Sequence, residues 1–184
     1  HPCAAQVGGH TPLPNRPPEE LGTLETSYGK FYLNFCDDPD FVVPSDDVGK
    51  RLARIAVDVD RWLDGGQKTL VHGDFKSGNI FVEQHTRATY AIDWQWTGWG
   101  VAAHDVIYFF ATSASDDFLA NYQTALWMYH FAFVSELDPG LRHSRPWPYH
   151  ETHRMFKLAT LDFMRWAFAS RFPNETPKNM RKRN

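Results

Sequence analysis

Cysteine is nearly missing from this sequence: Cys3 and Cys36 are the only two in 184 residues. Two thiols cannot build a disulfide framework, and their spacing matches no zinc motif. A stapled secreted scaffold is therefore excluded, and a reducing, cytoplasmic setting is expected. Long hydrophobic runs are also lacking. The longest, Val106–Ala111, falls far short of the roughly 20 residues that a membrane span needs, and no N-terminal stretch has the layout of a signal peptide. No membrane partner is expected. Nor is charge of one sign in excess: a net charge of -3 and a pI near 6.3 give no global attraction to nucleic acid. The basic tail Lys178–Arg183 reads as a solvated end. The first residue is His1 rather than Met, so a processed or partial chain is expected.

What the chain does have is aromatic residues, at 15% with seven Trp, in a composition 42% hydrophobic and 22% charged. That balance suits an ordinary globular protein of one domain, or one large lobe of a two-lobed enzyme. So many rings call for a packed core or a stacking site.

Proline organises the N-terminal part. Pro12, Pro14, Pro17 and Pro18 each lack a donor and restrict the residue before them. Residues 1–44 therefore read as a linker or hinge-proximal segment, partly irregular, with His1–Pro18 a loop and a short helix over Leu21–Phe35. Residues 45–184 read as the folded lobe. Val48, Leu52, Ile55, Val59 and Trp62 step by four and three, predicting a helix over about Asp46–Leu63. Ser45 would cap it, Asp46 and Asp47 would suit its positive end, and Gly65-Gly66 would stop it. Thr69–Val71 is strand-like. Asn79–Val82 and Thr89–Ile92 flank the polar turn Glu83–Arg87 and predict a hairpin. Helices follow from about Ala102, over Asp116–Glu136, and over His150–Phe172, with loops at Pro139-Gly140 and Pro146–Pro148. The class is α+β, mainly helical.

Two segments carry chemistry: Leu70–Val82, which contains His72-Gly73-Asp74 and Asn79, and Tyr90–Gln95, which contains Asp93. Phosphoryl transfer needs a carboxylate to hold the acceptor hydroxyl, oxygen ligands for Mg²⁺, and positive charge near the transferred phosphate. Magnesium prefers carboxylate and amide oxygens to His or Cys. Asp74 ends a strand, where a loop can present it to a cleft. Asn79 begins the next strand, and Asp93 ends that strand's hairpin partner, so adjacent strands deliver both to one place. Lys76, inside the loop, is placed either to reach the transferred phosphate or to remain a solvated loop lysine. Asp74 and Asn79 each have a plain reading as turn residues, and His72 reads as a residue that orients the loop. Trp94, Trp96 and Trp99 would either line a substrate pocket or pack beside the metal loop. His85, His104, His130, His143, His150 and His153 show no zinc-ligand pairing.

The pattern HGDxxxxN followed by IDW resembles the aminoglycoside phosphotransferase and choline kinase group, relatives of the protein kinases with their HRDxxxxN and DFG. Ile92-Asp93-Trp94-Gln95 is similar to the IDFQ of the ecdysteroid-kinase-like branch, with Trp in place of Phe. The resemblance covers Thr69–Phe110 by motif and Ser45–Phe172 by helix order. It implies the C-terminal lobe of a protein-kinase-like fold, with the small hairpin carrying the catalytic and metal loops. It further implies ATP and Mg²⁺ as cofactors, Asp74 as catalytic base, and Asn79 and Asp93 as metal ligands. Lys76 matches the lysine many protein kinases carry at this loop position, and Asp105 resembles the later Asp that braces the catalytic loop. The expected activity is ATP-dependent phosphorylation of a hydroxyl on a small molecule.

The family's N-terminal β lobe, with its glycine-rich phosphate loop and paired lysine, has no counterpart here, since no G-x-G-x-x-G follows a strand. The chain thus reads as an incomplete kinase. A non-catalytic pseudokinase-like binding module and a metal-dependent phosphoesterase are the competing readings. Asp116, Asp117, Glu136 and Asp138 would either meet a cationic substrate or be solvated helix ends.

Overall fold

The computed structural model describes residues 18–144 and 146–182. The loop expected over His1–Pro18 thus falls, Pro18 apart, outside the described residues, as do Cys3 and Arg183. Among the described residues helices dominate, and β structure is confined to two two-stranded sheets, the mainly helical α+β class expected from the sequence. The chain divides into two compact units. One is Gly66–Ala159, and the other comprises the described parts of Leu13–Gly65 and Thr160–Asn184. The cuts between the two units fall at 65/66 and 159/160.

In the discontinuous unit, α1 (Pro18–Phe35) is an 18-residue helix, longer than the short one expected. Proline is tolerated at its first position because that N–H would lack a helical partner anyway. Tyr28 and Leu24 of α1 pack with Leu52 of α2 (Val48–Asp64) and with Phe168 of a π-helical turn, Ala167–Arg171. The Tyr28 and Phe168 rings meet edge to face at 4.8 Å. The buried stripe of α2 is Gly49, Leu52, Ala56, Val59 and Leu63, while Ile55 and Trp62 are exposed. The stripe is rotated from the one expected because close approach selects small residues, which hydrophobic periodicity overlooks. A Cβ on Gly49 would lie 2.6 Å from Tyr28 Cβ and 3.1 Å from the Leu24 carbonyl oxygen. Ser45 does not cap α2; its hydroxyl donates instead to Asp47 Oδ1 at 2.5 Å, and Asp47 takes the cap position. Arg165, buried at the end of α7 (Tyr149–Trp166), donates to both oxygens of Asp60 and to Asp162. Lys178 and Arg181 of the basic tail belong to a short helix, α8 (Pro177–Arg181), and Arg181 is tied to Asp38 and Asp40.

In the unit Gly66–Ala159, β1 (Thr69–Val71) pairs antiparallel with β4 (Gly98–Gly100), Val71 opposite Gly98. β2 (Ile80–Val82) pairs antiparallel with β3 (Thr89–Ala91), Phe81 opposite Tyr90. The hairpin follows the sequence pattern. β4 does not, because Gly98-Trp99-Gly100 has neither the alternation nor the β-branched residues that mark strands. Helix α3 (Ala103–Ser113) comes next. The single helix expected over Asp116–Glu136 is two, α4 (Asp116–Ala120) and α5 (Tyr122–Glu136). The break is at Asn121, whose side-chain amide donates to the Asp117 carbonyl at 3.0 Å and so competes with helical bonding. Pro139-Gly140, expected as loop, opens the short helix α6 (Pro139–Ser144). Phe110 of α3 packs against Phe118 and Phe156, with ring centroids 5.0 and 5.5 Å away.

Candidate active site

β1 runs directly into His72, and the loop that follows is held from three sides. Asp105, in the first turn of α3, accepts the backbone N–H of His72 on Oδ2 at 2.7 Å and that of Gly73 on Oδ1 at 3.0 Å. The His72 ring is buried and bridges two strands' ends: Nε2 lies 2.8 Å from the Ile92 carbonyl oxygen, and Nδ1 accepts from the Asp74 N–H at 3.3 Å. A carbonyl can only accept and an N–H only donate, so these partners place the ring proton on Nε2. The other end of α3 holds the loop as well, with the Ser113 hydroxyl accepting from the Ser77 N–H at 2.8 Å.

Gly73 cannot be another residue. Its φ is +89°, in the region that favours glycine, and a Cβ there would sit 2.4 Å from the Trp96 carbonyl oxygen. The middle residue of His72-Gly73-Asp74 is therefore fixed by both torsion and space.

Asp74 is buried, and its carboxylate is the hub of the loop. Lys76 Nζ donates to Oδ2 at 2.6 Å, and Asn79 Nδ2 donates to Oδ2 at 3.0 Å and to the Asp74 carbonyl oxygen at 2.9 Å. Burial works to raise the pKa of Asp74. Hydrogen bonds from Lys76 and Tyr108, the Lys76 charge and the Asn79 amide together outweigh it, and the pKa is lowered from the ordinary aspartate value. Lys76 is thus bound to Asp74 and only partly exposed, rather than a freely solvated loop residue.

Asn79 ends a 3₁₀ turn, Ser77–Asn79, and its carbonyl accepts from the Ile92 N–H at 3.0 Å. That bond brings Asp93, the next residue, to the same end of the hairpin. Asp93 has φ 64° and ψ 56°, a left-handed conformation that costs a non-glycine residue about 1–3 kcal/mol. Its side chain is exposed, and among the described residues its carboxylate accepts no hydrogen bond and forms no ion pair. Trp94 packs against His72 with centroids 4.6 Å apart and the rings tilted by 41°, and its indole N–H donates to the Ala91 carbonyl. Trp94, Trp96 and Trp99 are each about half exposed, so none is a core residue.

The donor set suits magnesium. With Nδ2 committed to Asp74, Asn79 keeps its amide oxygen available, and Asp93 offers a carboxylate that no donor among the described residues meets. Mg²⁺ is commonly bound by one or two such oxygens, with water and phosphate in its other positions. Among the described residues no group of three or more His, Cys, Asp or Glu is gathered as a metal centre of another kind.

This loop and hairpin, HGDxxxxN closing on IDW, lie inside the stretch 46–139, which matches the model of the ecdysteroid kinase-like family. The match covers just over half of the chain. The chain belongs to the ecdysteroid kinase-like family. It is thereby a member of a kinase-like family, one whose activity implies a small-molecule substrate and which typically uses ATP and Mg²⁺. No curated protein and no solved structure gives a match. No helix among the described residues is long and apolar enough to cross a membrane.

Two contributors to this kinase-like site were not anticipated from the sequence. Tyr108 hydrogen-bonds to Asp74, and Ser113 pins Ser77. Tyr108 stands three residues after Asp105 on α3. Given Asp105 as a brace, the helical repeat was the signal that the next turn also faces the loop.

Proposed function

We propose that this chain carries the phosphoryl-transfer centre of an ATP-dependent kinase acting on a hydroxyl of a small molecule. The observation that supports it most is the buried, ionised Asp74, bonded at once to Lys76 and Asn79 beside an Asp93 with no partner among the described residues. Asp74 would receive the acceptor hydroxyl and orient its oxygen toward the γ-phosphorus. As the new O–P bond forms and the bond to ADP breaks, the hydroxyl proton passes to the Asp74 carboxylate. A depressed pKa makes Asp74 a weak base, which suits a loose transition state in which the hydroxyl loses its proton late and positioning matters most. Lys76, bonded to the same carboxylate, would bring its charge to the transferred phosphoryl oxygens. Asn79 and Asp93 would hold Mg²⁺, which when bound neutralises phosphate charge. Phe81 and its register partner Tyr90 share a face of the hairpin, both more than half exposed, an apolar platform on which a planar base can lie.

The test is transfer of γ-phosphate from labelled ATP to a panel of small-molecule alcohols. Asp74→Asn is expected to lower turnover by roughly 10²–10⁴-fold, the usual scale for a general base. Undiminished turnover in that variant removes Asp74 from the mechanism. Asp93→Ala is expected to abolish the magnesium-dependent part of the heat of ATP binding, and magnesium-independent binding by the unaltered chain would favour a non-catalytic module.

A further inference from the structure

A cavity of about 220 Å³ opens within the unit Gly66–Ala159, at the end of β1 away from the catalytic loop. β1 leaves toward His72 at Val71, whereas the cavity is bordered by Thr69, by Val101–Ala103 at the start of α3, and by α5 and α7. Its walls are mostly rings and aliphatic chains. Tyr129 and Phe133 stack one turn apart on α5, with centroids 6.1 Å apart, and Phe133 meets Trp147 edge-on at 6.3 Å. Leu137 stands at the rim and Met155 is buried beneath.

The polar groups inside are unequally provided for. Thr152 is buried, and its hydroxyl oxygen accepts from the Trp147 indole at 2.8 Å and lies 2.8 Å from His130 Nδ1. The Tyr129 phenol also lines the cavity, yet among the described residues it has no hydrogen-bond partner. Burial and the Asp105 charge push its pKa up to about 12, so at any ordinary pH it keeps its proton and has an O–H to donate to an acceptor. Lys68 at the border disfavours a cation, and the Asp105 charge felt inside disfavours an anion. Mostly apolar walls with one or two placed polar groups are the ordinary makings of a small-molecule site.

We propose that this cavity is a second ligand site, separate from the phosphoryl-transfer centre, for a neutral and largely apolar small molecule that offers one hydrogen-bond-accepting oxygen to Tyr129. The ligand would sit behind the start of α3, the helix whose Asp105 holds His72 and Gly73 in place.

The probe is 1-naphthol, a neutral fused ring with one oxygen, titrated by calorimetry into the full chain. Saturable binding is expected. Tyr129→Phe is expected to weaken it by roughly 3–10-fold, the scale of one net hydrogen bond. Leu137→Trp, a substitution at the partly exposed rim, is expected to block it. Asp93→Ala is expected to leave it unchanged, because Asp93 lies at the hairpin. Equal affinity in the unaltered chain, Tyr129→Phe and Leu137→Trp would overturn the proposal, as would no binding to the unaltered chain. Tighter binding of tetramethylammonium than of naphthol would overturn the assignment of a neutral ligand. Because Tyr129→Phe removes a single atom at a partly exposed position, it keeps the test decisive even if Leu137→Trp fails to fold.

Discussion

The two oxygens of Asp105 each take a backbone N–H from the turn that presents Asp74. Removing a carboxylate that satisfies two part-buried donors exposes both to loss. Asp105→Ala is expected to cost about 1–3 kcal/mol for each donor left without a partner, measurable as a lower denaturant midpoint. Asp105→Asn, which keeps one acceptor, should lose less. Asp74 has its own signature in pH. Its folded-state pKa lies below the ordinary value of 3.8, so its contribution to stability is complete above that value and disappears as pH falls through the folded-state pKa. The stability difference between the unaltered chain and Asp74→Asn should therefore be flat from neutral pH down to about pH 4, and shrink only below it. A stability of the unaltered chain that instead rises relative to Asp74→Asn on acidification from neutrality would mean that burial dominates and that the Lys76 and Asn79 bonds do not hold in solution.

At the scale of elements, sequence reading succeeded where periodicity is the message and failed where close contact or local competition decides. The β2–β3 hairpin was visible because apolar runs flank a polar turn, and that hairpin positions Asn79 and Asp93. The paired strand β4 was invisible because two glycines and a tryptophan carry no strand pattern, though β4 places Trp96 against Gly73. The buried face of α2 was misjudged because Gly49 and Ala56, not Ile55 and Trp62, are buried, with Gly49 against α1. The contact at Gly49 is itself testable. Alanine there gains helix propensity of up to about 1 kcal/mol, yet its methyl must displace Tyr28 Cβ and the backbone of α1. Gly49→Ala is expected to be destabilising by about 1–3 kcal/mol in chemical denaturation. A neutral or stabilising result would mean that α1 and α2 are not in contact there.

Across the whole molecule, the aromatic excess seen in the sequence does not go mainly into a core. Trp62, Trp94, Trp96, Trp99 and Trp127 are each about half exposed in the chain as described. Native emission should accordingly be accessible to acrylamide, and a buried, poorly quenched spectrum would contradict the structure. Trp94 packs against the His72 ring and lies next to Asp93 in the chain. Mg-ATP should therefore reduce quenching, and Trp94→Phe should remove part of that protection. The composition announced many rings and the motif announced where some of them gather. Neither could say that they remain at the surface, because exposure is set by which faces the helices leave uncovered.

Among the described residues, the hydrogen bonds that lock the His72–Asn79 loop join residues no more than 36 positions apart, the longest being Ser77 to Ser113. Such a site has low contact order, and closing its loops costs little entropy, each doubling of loop length adding only about 0.6 kcal/mol. A growing polypeptide can thus assemble the proposed phosphoryl-transfer centre once it has been synthesised as far as Ser113, before α5 and α7 exist to be docked. Local opening should likewise be repaired by rapid reclosure within this short stretch, without waiting for distant partners.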